Sequence, residues 1–278
     1  MNATSWQHWR AHWTRLLAIA ALAALASALA ACGGGGGADE AAHPIQGSRE
    51  TKSIASRITG TEYPLRIYLP PASAGPRNQL PVIYVLDGEG WFDTLVGNVE
   101  AAQRGVIIVG VETAGQRNRD FVPANTCTPH GGGYVAYFDF VRQELIPFVE
   151  GSIGGDPAQR ALFGHSHGGS LVLYALFSEP PGGHSFKAYL ASDASIGCMP
   201  AVARDWEHDY AAAYRDLPVR LHLSYASAGN AGPNAQYATV IEQSGYAGLS
   251  FKRQLYNGTH GGIVPQVLND VVGFAFDD

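Results

Sequence analysis

The run Leu162-Phe163-Gly164-His165-Ser166-His167-Gly168-Gly169-Ser170 constrains the fold of this chain more than any other stretch. A short apolar lead, Ala161-Leu162-Phe163, reads as a buried strand. Leu171, Val172, Tyr174, Ala175 and Leu176 then recur with helical spacing. Between them Gly164-x-Ser166-x-Gly168 must turn a strand into a helix within a few residues. Such a turn holds its central serine in a strained backbone conformation. Glycines on either side let strand and helix pack closely. With 34 glycines in 278 residues the pattern alone is weak. Its strand-to-helix setting is what makes it a nucleophile elbow with Ser166 at the tip.

The chain around the elbow alternates strand and helix about five times from residue 81. Pro81 to Leu86 and Val106 to Val111 are almost wholly apolar, as expected of strands covered on both faces. Phe92 to Gln103 is expected to be a helix, and Tyr134 to Glu150 one continuous amphipathic helix. Strands follow at Arg160–Phe163, Lys187–Ala191, Val219–Ala226 and Phe251–Tyr256. Further helices are expected over Ala235–Ser244 and Ile263–Phe276. Ile54–Thr59 and Tyr63–Leu69 read as an opening hairpin. The pattern predicts an α/β fold, a mostly parallel central sheet with helices on both faces, whose site lies at the carboxyl ends of the strands. The stretch from Thr113 to Gly133 reads as a long irregular loop, the kind that carries function.

Upstream of the domain the sequence changes character. Arg10 and Arg15 precede an apolar run from Leu16 to Ala30, the order of a targeting segment. Leu29-Ala30-Ala31-Cys32 resembles a bacterial lipobox, which implies cleavage before Cys32 and lipidation of its thiol; an ordinary secretory signal is the alternative. Gly33 to Gly37 and the aperiodic residues after it form a flexible leash. The expected organisation is a lipoprotein signal peptide at 1–31, a tether at 32–50 and a catalytic domain at 51–278. The molecule would be exported and anchored at the periplasmic face of the outer membrane or the cell surface. In such an oxidising compartment the two remaining cysteines, Cys127 and Cys198, are expected to pair.

Composition narrows the rest. A 46% hydrophobic, 15% charged chain can bury a core and is not disordered. A net charge of −6 gives no basic face, so nucleic acid is not an expected partner. No metal-ligand spacing occurs: His165 and His167 stand two apart without a clustered third ligand. The expected partners are a small-molecule ester and a membrane, reached through Cys32.

A serine hydroxyl needs a base. Asn257-Gly258-Thr259-His260-Gly261-Gly262 supplies one after the last strand, and His260 is expected to come within hydrogen-bonding reach of Ser166. The N–H of His167 follows the nucleophile and is one expected oxyanion donor. The second comes from the loop after the third strand, Gly88 or Glu89, with Gly88 chosen. The imidazoles of His165 and His167 are given no catalytic part. The acid is less clear. The segment after the strand ending near Ala226 holds no carboxylate, so either a Ser–His dyad operates or Asp193, one strand earlier, is the acid.

Several stretches in order resemble one family: Val82-Ile83-Tyr84-Val85-Leu86-Asp87-Gly88, Arg117-Asn118-Arg119-Asp120-Phe121-Val122-Pro123, Gly131-Gly132-Gly133, Glu144-Leu145-Ile146-Pro147-Phe148-Val149-Glu150, the elbow, and Gly258-Thr259-His260-Gly261. The chain resembles the esterases that include esterase D and the enterobactin-type siderophore esterases. The resemblance implies an α/β-hydrolase fold and cofactor-free hydrolysis of carboxylic esters, small or siderophore-like. It places Ser166 and His260 at the catalytic pair and Gly88 and His167 at the oxyanion positions. It also sets Arg119 near the pocket, where it could meet an anionic or catecholate group or be held in a salt bridge. Where the family has a Ser-Pro-Ser-Leu-type segment, this chain reads Asp193-Ala194-Ser195-Ile196. An acyltransferase of the mycolyltransferase kind and a non-catalytic binding lipoprotein are the competing readings.

Overall fold

The computed structural model describes residues 46–277. The expected signal peptide, Cys32 and most of the tether that follows it lie outside the described residues. Eight strands form one sheet in the order β1-β2-β4-β3-β5-β6-β7-β8. They are β1 (Ser48–Ala55), β2 (Glu62–Leu69), β3 (Val82–Leu86), β4 (Ile107–Val111), β5 (Arg160–His165), β6 (Ala188–Ser192), β7 (Arg220–Ala228) and β8 (Ser250–Thr259). β1 pairs antiparallel with β2 and β2 with β4; every other pairing is parallel. This is the expected α/β-hydrolase architecture.

Sequence explains the burial. All residues of β3, β4 and β6 are buried, in keeping with their unbroken apolar runs. Such strands need helices on both faces. On one face lie α1 (Gly88–Ala101) and α8 (Val264–Phe276). Phe92, Leu95, Val96 and Val99 of α1 pack there with Val264, Val267, Leu268, Val271, Val272 and Ala275 of α8. These positions recur every three or four residues, the spacing of one helical stripe. The other face holds α2 (Arg117–Phe121), α3 (Tyr134–Phe140), α4 (Ile146–Ser152), α5 (His167–Ser178), α6 (Pro200–Ala213) and α7 (Ala231–Ser244). Edge strand β1 alternates exposed and half-buried residues.

Several boundaries depart from the sequence-based expectation. The first strand starts at Ser48 rather than Ile54, so residues 48–50 pair with β2 instead of belonging to the tether. The hairpin loop is longer, closed by Ser56 N–H to Thr61 O at 2.9 Å. The helix expected from Tyr134 to Glu150 is present, running on to Ser152, with one irregular turn inside it. Val141–Leu145 is a π-turn, in which Ile146 N–H reaches back five residues to Val141 O. Pro147 has no N–H to give and its ring crowds the carbonyl four residues earlier, which displaces the α ladder at this point. α1 begins at Gly88, because Asp87 turns directly out of β3 with φ 55°. α7 begins at Ala231, with Pro233 tolerated in its first turn.

The topology matters for function in one respect. Asp87, Ser166, Asp193 and His260 follow the C-terminal ends of β3, β5, β6 and β8, strands that lie close together in the sheet. Residues from four parts of the chain therefore converge on one edge.

Candidate active site

Ser166 sits at the tip of the β5–α5 turn with φ 61° and ψ −118°, a combination that an L-residue adopts only under constraint. Its N–H donates to Ser192 O at 2.9 Å, and its own carbonyl accepts from Ser170 N–H and Ser195 N–H at 3.1 Å each. The bonds to Ser192 and Ser195 tie the elbow to the end of β6. Of the two elbow glycines, Gly164 is the one the turn requires: a Cβ there would collide with the carbonyl of Gly168. At Gly168 itself a Cβ would meet its nearest atoms at ordinary contact distances, 3.4 Å and beyond.

His260 follows β8 directly. Its Nδ1 is 2.5 Å from Oδ2 of Asp193. The imidazole is 42% exposed while the Asp193 side chain is wholly buried, so the ring is open to solvent and the carboxylate lies beneath it. Asp193 is held from several sides. Oδ1 accepts from Ala226 N–H and Asn230 N–H at 3.1 Å each, and Oδ2 lies 3.2 Å from Asn230 N. Asn230 Nδ2 returns a hydrogen bond to Asp193 O at 3.0 Å. Burial pushes this carboxyl up, but the donors on His260, Ala226 and Asn230 outweigh it and hold it below the usual carboxylate range. It is therefore an anion at neutral pH.

The stretch after β7, which lacks a carboxylate, thus has a different part from the one its position suggests. It provides main-chain N–H groups, and Asp193 reaches across from β6 to meet them. A Cβ at Gly229 would collide with Asp193 Oδ2, so glycine is needed there to admit the carboxylate. The structure brings a carboxylate to His260, the arrangement that separates a triad from a dyad.

The expected Ser166–His260 hydrogen bond is not formed. Ser166 Oγ is instead 3.1 Å from Ser195 Oγ. His260 lies over the elbow all the same: its ring is 4.4 Å, centroid to centroid, from the ring of His165, the residue before the nucleophile. A change of χ1 swings a serine hydroxyl between staggered wells, and nucleophile–base bonds commonly close only when substrate arrives.

Gly88 and His167 each open a helix, where first-turn N–H groups have no partner within the helix. Each follows a non-glycine residue at positive φ, Asp87 at 55° and Ser166 at 61°. β3 and β5 are paired neighbours, so the two helix starts emerge side by side. That is the placement two oxyanion donors need.

The two elbow histidines are held in the neutral form. Burial, then the charge of His260, lowers His165 to about 4; its Nδ1 is 3.1 Å from Ser192 Oγ. Burial, then the charge of Arg117, lowers His167 to about 4. Both are neutral at pH 7.

Arg119 is held in a salt bridge, the second of the two expectations for it. Nε donates to Asp120 Oδ1 at 2.7 Å, and one terminal nitrogen donates to Thr61 Oγ1 at 2.9 Å and Tyr63 OH at 3.1 Å. The arginine that reaches the elbow is Arg117, two residues earlier. It bonds Asp87 through Nε and a terminal nitrogen at 2.6 and 3.0 Å, and His165 O at 3.3 Å. Sequence reasoning missed Arg117, Ser195 and Asn230, because nothing in their own neighbourhoods reveals which distant strand end they touch.

Cys127 and Cys198 form a disulfide with Cα atoms 5.1 Å apart. It ties the 113–133 loop to the turn just after Ser195. Among the described residues no group of three or more His, Cys, Asp or Glu could hold a metal ion.

Residues 56–191 match the family model described as "Putative esterase". The chain is 37% identical over 139 residues to the siderophore triacetylfusarinine C esterase of Aspergillus fumigatus, across 43% of this chain and 46% of that protein. It is 32% identical over 172 residues to the ferri-bacillibactin esterase BesA of Bacillus subtilis, across 53% of this chain and 58% of that protein. The chain spans about half the length of these curated relatives. A solved IroE-like serine hydrolase from Shewanella oneidensis superposes with a TM-score of 0.71 at 25% identity, covering 80% of this chain and 78% of that one.

Proposed function

We propose that this chain is a serine hydrolase of the esterase family, which cleaves carboxylic esters of the siderophore kind through an acyl-enzyme. One observation carries the reading: a buried, anionic Asp193 bonded at 2.5 Å to Nδ1 of a solvent-accessible His260, beside a serine on a strained elbow. The relatives named as siderophore esterases supply the substrate class.

In this reading Asp193 accepts a hydrogen bond from the Nδ1–H of His260 and so fixes the tautomer whose Nε2 is free to act as base. Ser166 Oγ attacks the ester carbonyl carbon as Nε2 takes its proton. Negative charge gathers on the former carbonyl oxygen, between the N–H groups of Gly88 and His167. Losing one such donor costs roughly 2.7–4 kcal/mol of transition-state stabilisation. The imidazolium then protonates the departing alkoxide. Water, deprotonated by the same nitrogen, attacks the acyl carbon and frees Ser166.

We also propose export and a lipid anchor at Cys32. Supporting this are Arg10 and Arg15 before the apolar run, the Leu29-Ala30-Ala31-Cys32 stretch and the glycine leash. The Cys127–Cys198 bond fits an oxidising compartment.

The test is a substrate panel of short-chain nitrophenyl esters, feruloyl esters and trilactone siderophores, run with and without added alcohol. Hydrolysis with a preference for the trilactones supports the reading. Ester products formed with the added alcohol in preference to acid would replace it with acyl transfer.

A further inference from the structure

The base of the proposed reaction stands on a lightly supported stretch. β8 ends at Thr259, which pairs with Ala228 beyond a shift of register after Ala226. His260 is the next residue, and two glycines follow it. A Cβ at Gly261 would meet nothing within 4 Å, so the chain there is not packed against its surroundings. Among the described residues the ring makes one hydrogen bond, Nδ1 to Asp193 Oδ2 at 2.5 Å. One bond fixes Nδ1 and leaves the ring free to turn about the bond direction. Such a turn carries Nε2 along an arc, toward Ser166 or away from it. A base must come within hydrogen-bonding reach of its proton, so another contact has to set that angle.

The ring of His165 is placed to do so. Its centroid lies 4.4 Å from that of His260, with the two planes 40° apart. A ring lying against a ring resists turning, because rotation drives their atoms together. His165 itself is firmly held. It closes β5 and pairs with Ser192 in the parallel ladder to β6. Its Nδ1 is 3.1 Å from Oγ of that same Ser192. Trp91 of α1 meets the ring edge to face, at 5.5 Å and 77°. His165 is only 4% exposed, which leaves little of it for a substrate to touch. Burial, ahead of the charge of His260, lowers it to about 4. It therefore stays neutral while His260 takes up a proton, and the imidazolium forms beside an uncharged ring. His165 is also joined directly to Ser166. The angle of the base is thereby set relative to the hydroxyl it must deprotonate.

We propose that His165 is a positioning residue for the base: its ring, fixed to the sheet by Ser192 and to α1 by Trp91, sets the rotation of the His260 imidazole about its bond to Asp193. The inference rests on the serine hydrolase reading given above. His165 carries no proton in the reaction. Its loss should slow the chemical step and leave ground-state binding largely intact.

The experiment uses the full chain with His165→Phe, His165→Gln and Ser192→Ala, assayed with a nitrophenyl ester. The acyl-enzyme burst gives the active-site titre, and circular dichroism with thermal melting reports folding. The proton spectrum is read for the downfield Nδ1–H of His260, identified by its absence in His260→Ala. Phenylalanine keeps a ring and gives up the bond to Ser192. Glutamine keeps a polar group and gives up the ring. For His165→Gln the expected result is a fall of roughly 10- to 100-fold in kcat per titrated site with KM within about threefold of wild type, the effect of a small misplacement of a reacting group. Its Nδ1–H signal should broaden at a lower temperature than in wild type, because the ring turns. His165→Phe should recover kcat to within about fivefold of wild type and keep the signal sharp. Ser192→Ala, which leaves the ring seated by Trp91, should fall between the two. Equal rates for the phenylalanine and glutamine variants overturn the proposal. So does a lowered melting point with kcat per site unchanged, the mark of a residue that only fills the core. A KM raised more than about tenfold at constant kcat would make His165 a substrate contact and overturns it as well. If His165→Gln does not fold, Ser192→Ala carries the same test by loosening the ring in place. A wild-type chain that neither turns over the ester nor gives a burst removes the hydrolase reading itself, a different failure from an active wild type that is indifferent to His165.

Discussion

Asp193 Oδ2 lies 2.5 Å from Nδ1 of His260, although the two residues are 67 positions apart and arrive from the ends of different strands. The bond makes Asp193 the partner that orients the imidazole. Asp193→Asn would retain the shape and present an amide where the anion stood, favouring the wrong tautomer. The expected outcome is a fall in kcat on the order of 10³–10⁴, with the circular dichroism spectrum unchanged. A loss below about threefold on an activated ester would mean that His260 works without the carboxylate.

Gly229 offers a second way to disturb the same bond without touching either member. A Cβ there would collide with Asp193 Oδ2. Gly229→Ala should displace the carboxylate from His260 and lower kcat at least tenfold, while KM changes little. The measurement is steady-state kinetics on the folded variant beside Asp193→Asn. The effects of the two substitutions should not add, because both act through one contact.

Acid stability should depend on His222. It is fully buried on β7, and neither ring nitrogen has a hydrogen-bond partner. Burial, then the charge of Lys252, lowers it from the ordinary 6.5 to about 4. Between these two values the unfolded chain binds a proton that the folded chain refuses, so stability falls as pH drops from about 6.5 toward about 4. The loss approaches about 3 kcal/mol for a shift of this size. His222→Phe, which keeps a ring against Phe274, should flatten that part of the stability–pH curve. Urea melts at pH 7, 6, 5 and 4 test this; parallel curves for the two proteins would contradict it.

The Cys127–Cys198 bond closes a loop with a sequence separation of 71. In the chain-entropy treatment, restricting the unfolded state across such a loop is worth about 4 kcal/mol. Replacing both cysteines by serine should lower the denaturation midpoint accordingly. It should also loosen the turn that holds Ser195 near Ser166, so kcat should fall while the fold is still intact. Denaturant melts and kinetics on the same sample separate the two effects.

Much of this molecule can be read from its sequence, and the rest is hidden for a physical reason. β3 and β4 announce themselves, since a five-residue run of apolar side chains suits a strand buried on both faces. The elbow does so too, because a serine flanked by glycines between a strand and a helix has few other uses. The π-turn after α3 is less legible: the apolar pattern from Tyr134 onward shows the helix running through Pro147 but not the shift in its hydrogen-bond ladder there. The acid is hidden more deeply. Asp193 looks like any loop aspartate until β7 brings the N–H groups of Ala226 and Asn230 beside it, and Arg119 looks like a substrate contact until Thr61 and Tyr63 arrive from β2 and its turn. Local pattern reports what a residue does to its own backbone. It does not report which distant strand end folds against it.

The most direct test of the hydrolase mechanism is covalent capture of the nucleophile. The folded chain is incubated with a fluorophosphonate, and intact mass with peptide mapping locates the adduct. The mechanism predicts one phosphonyl group per chain, on Ser166, absent in Ser166→Ala and formed at least 100-fold more slowly in His260→Ala. Failure to label, an adduct elsewhere, or a labelling rate indifferent to His260 would contradict it.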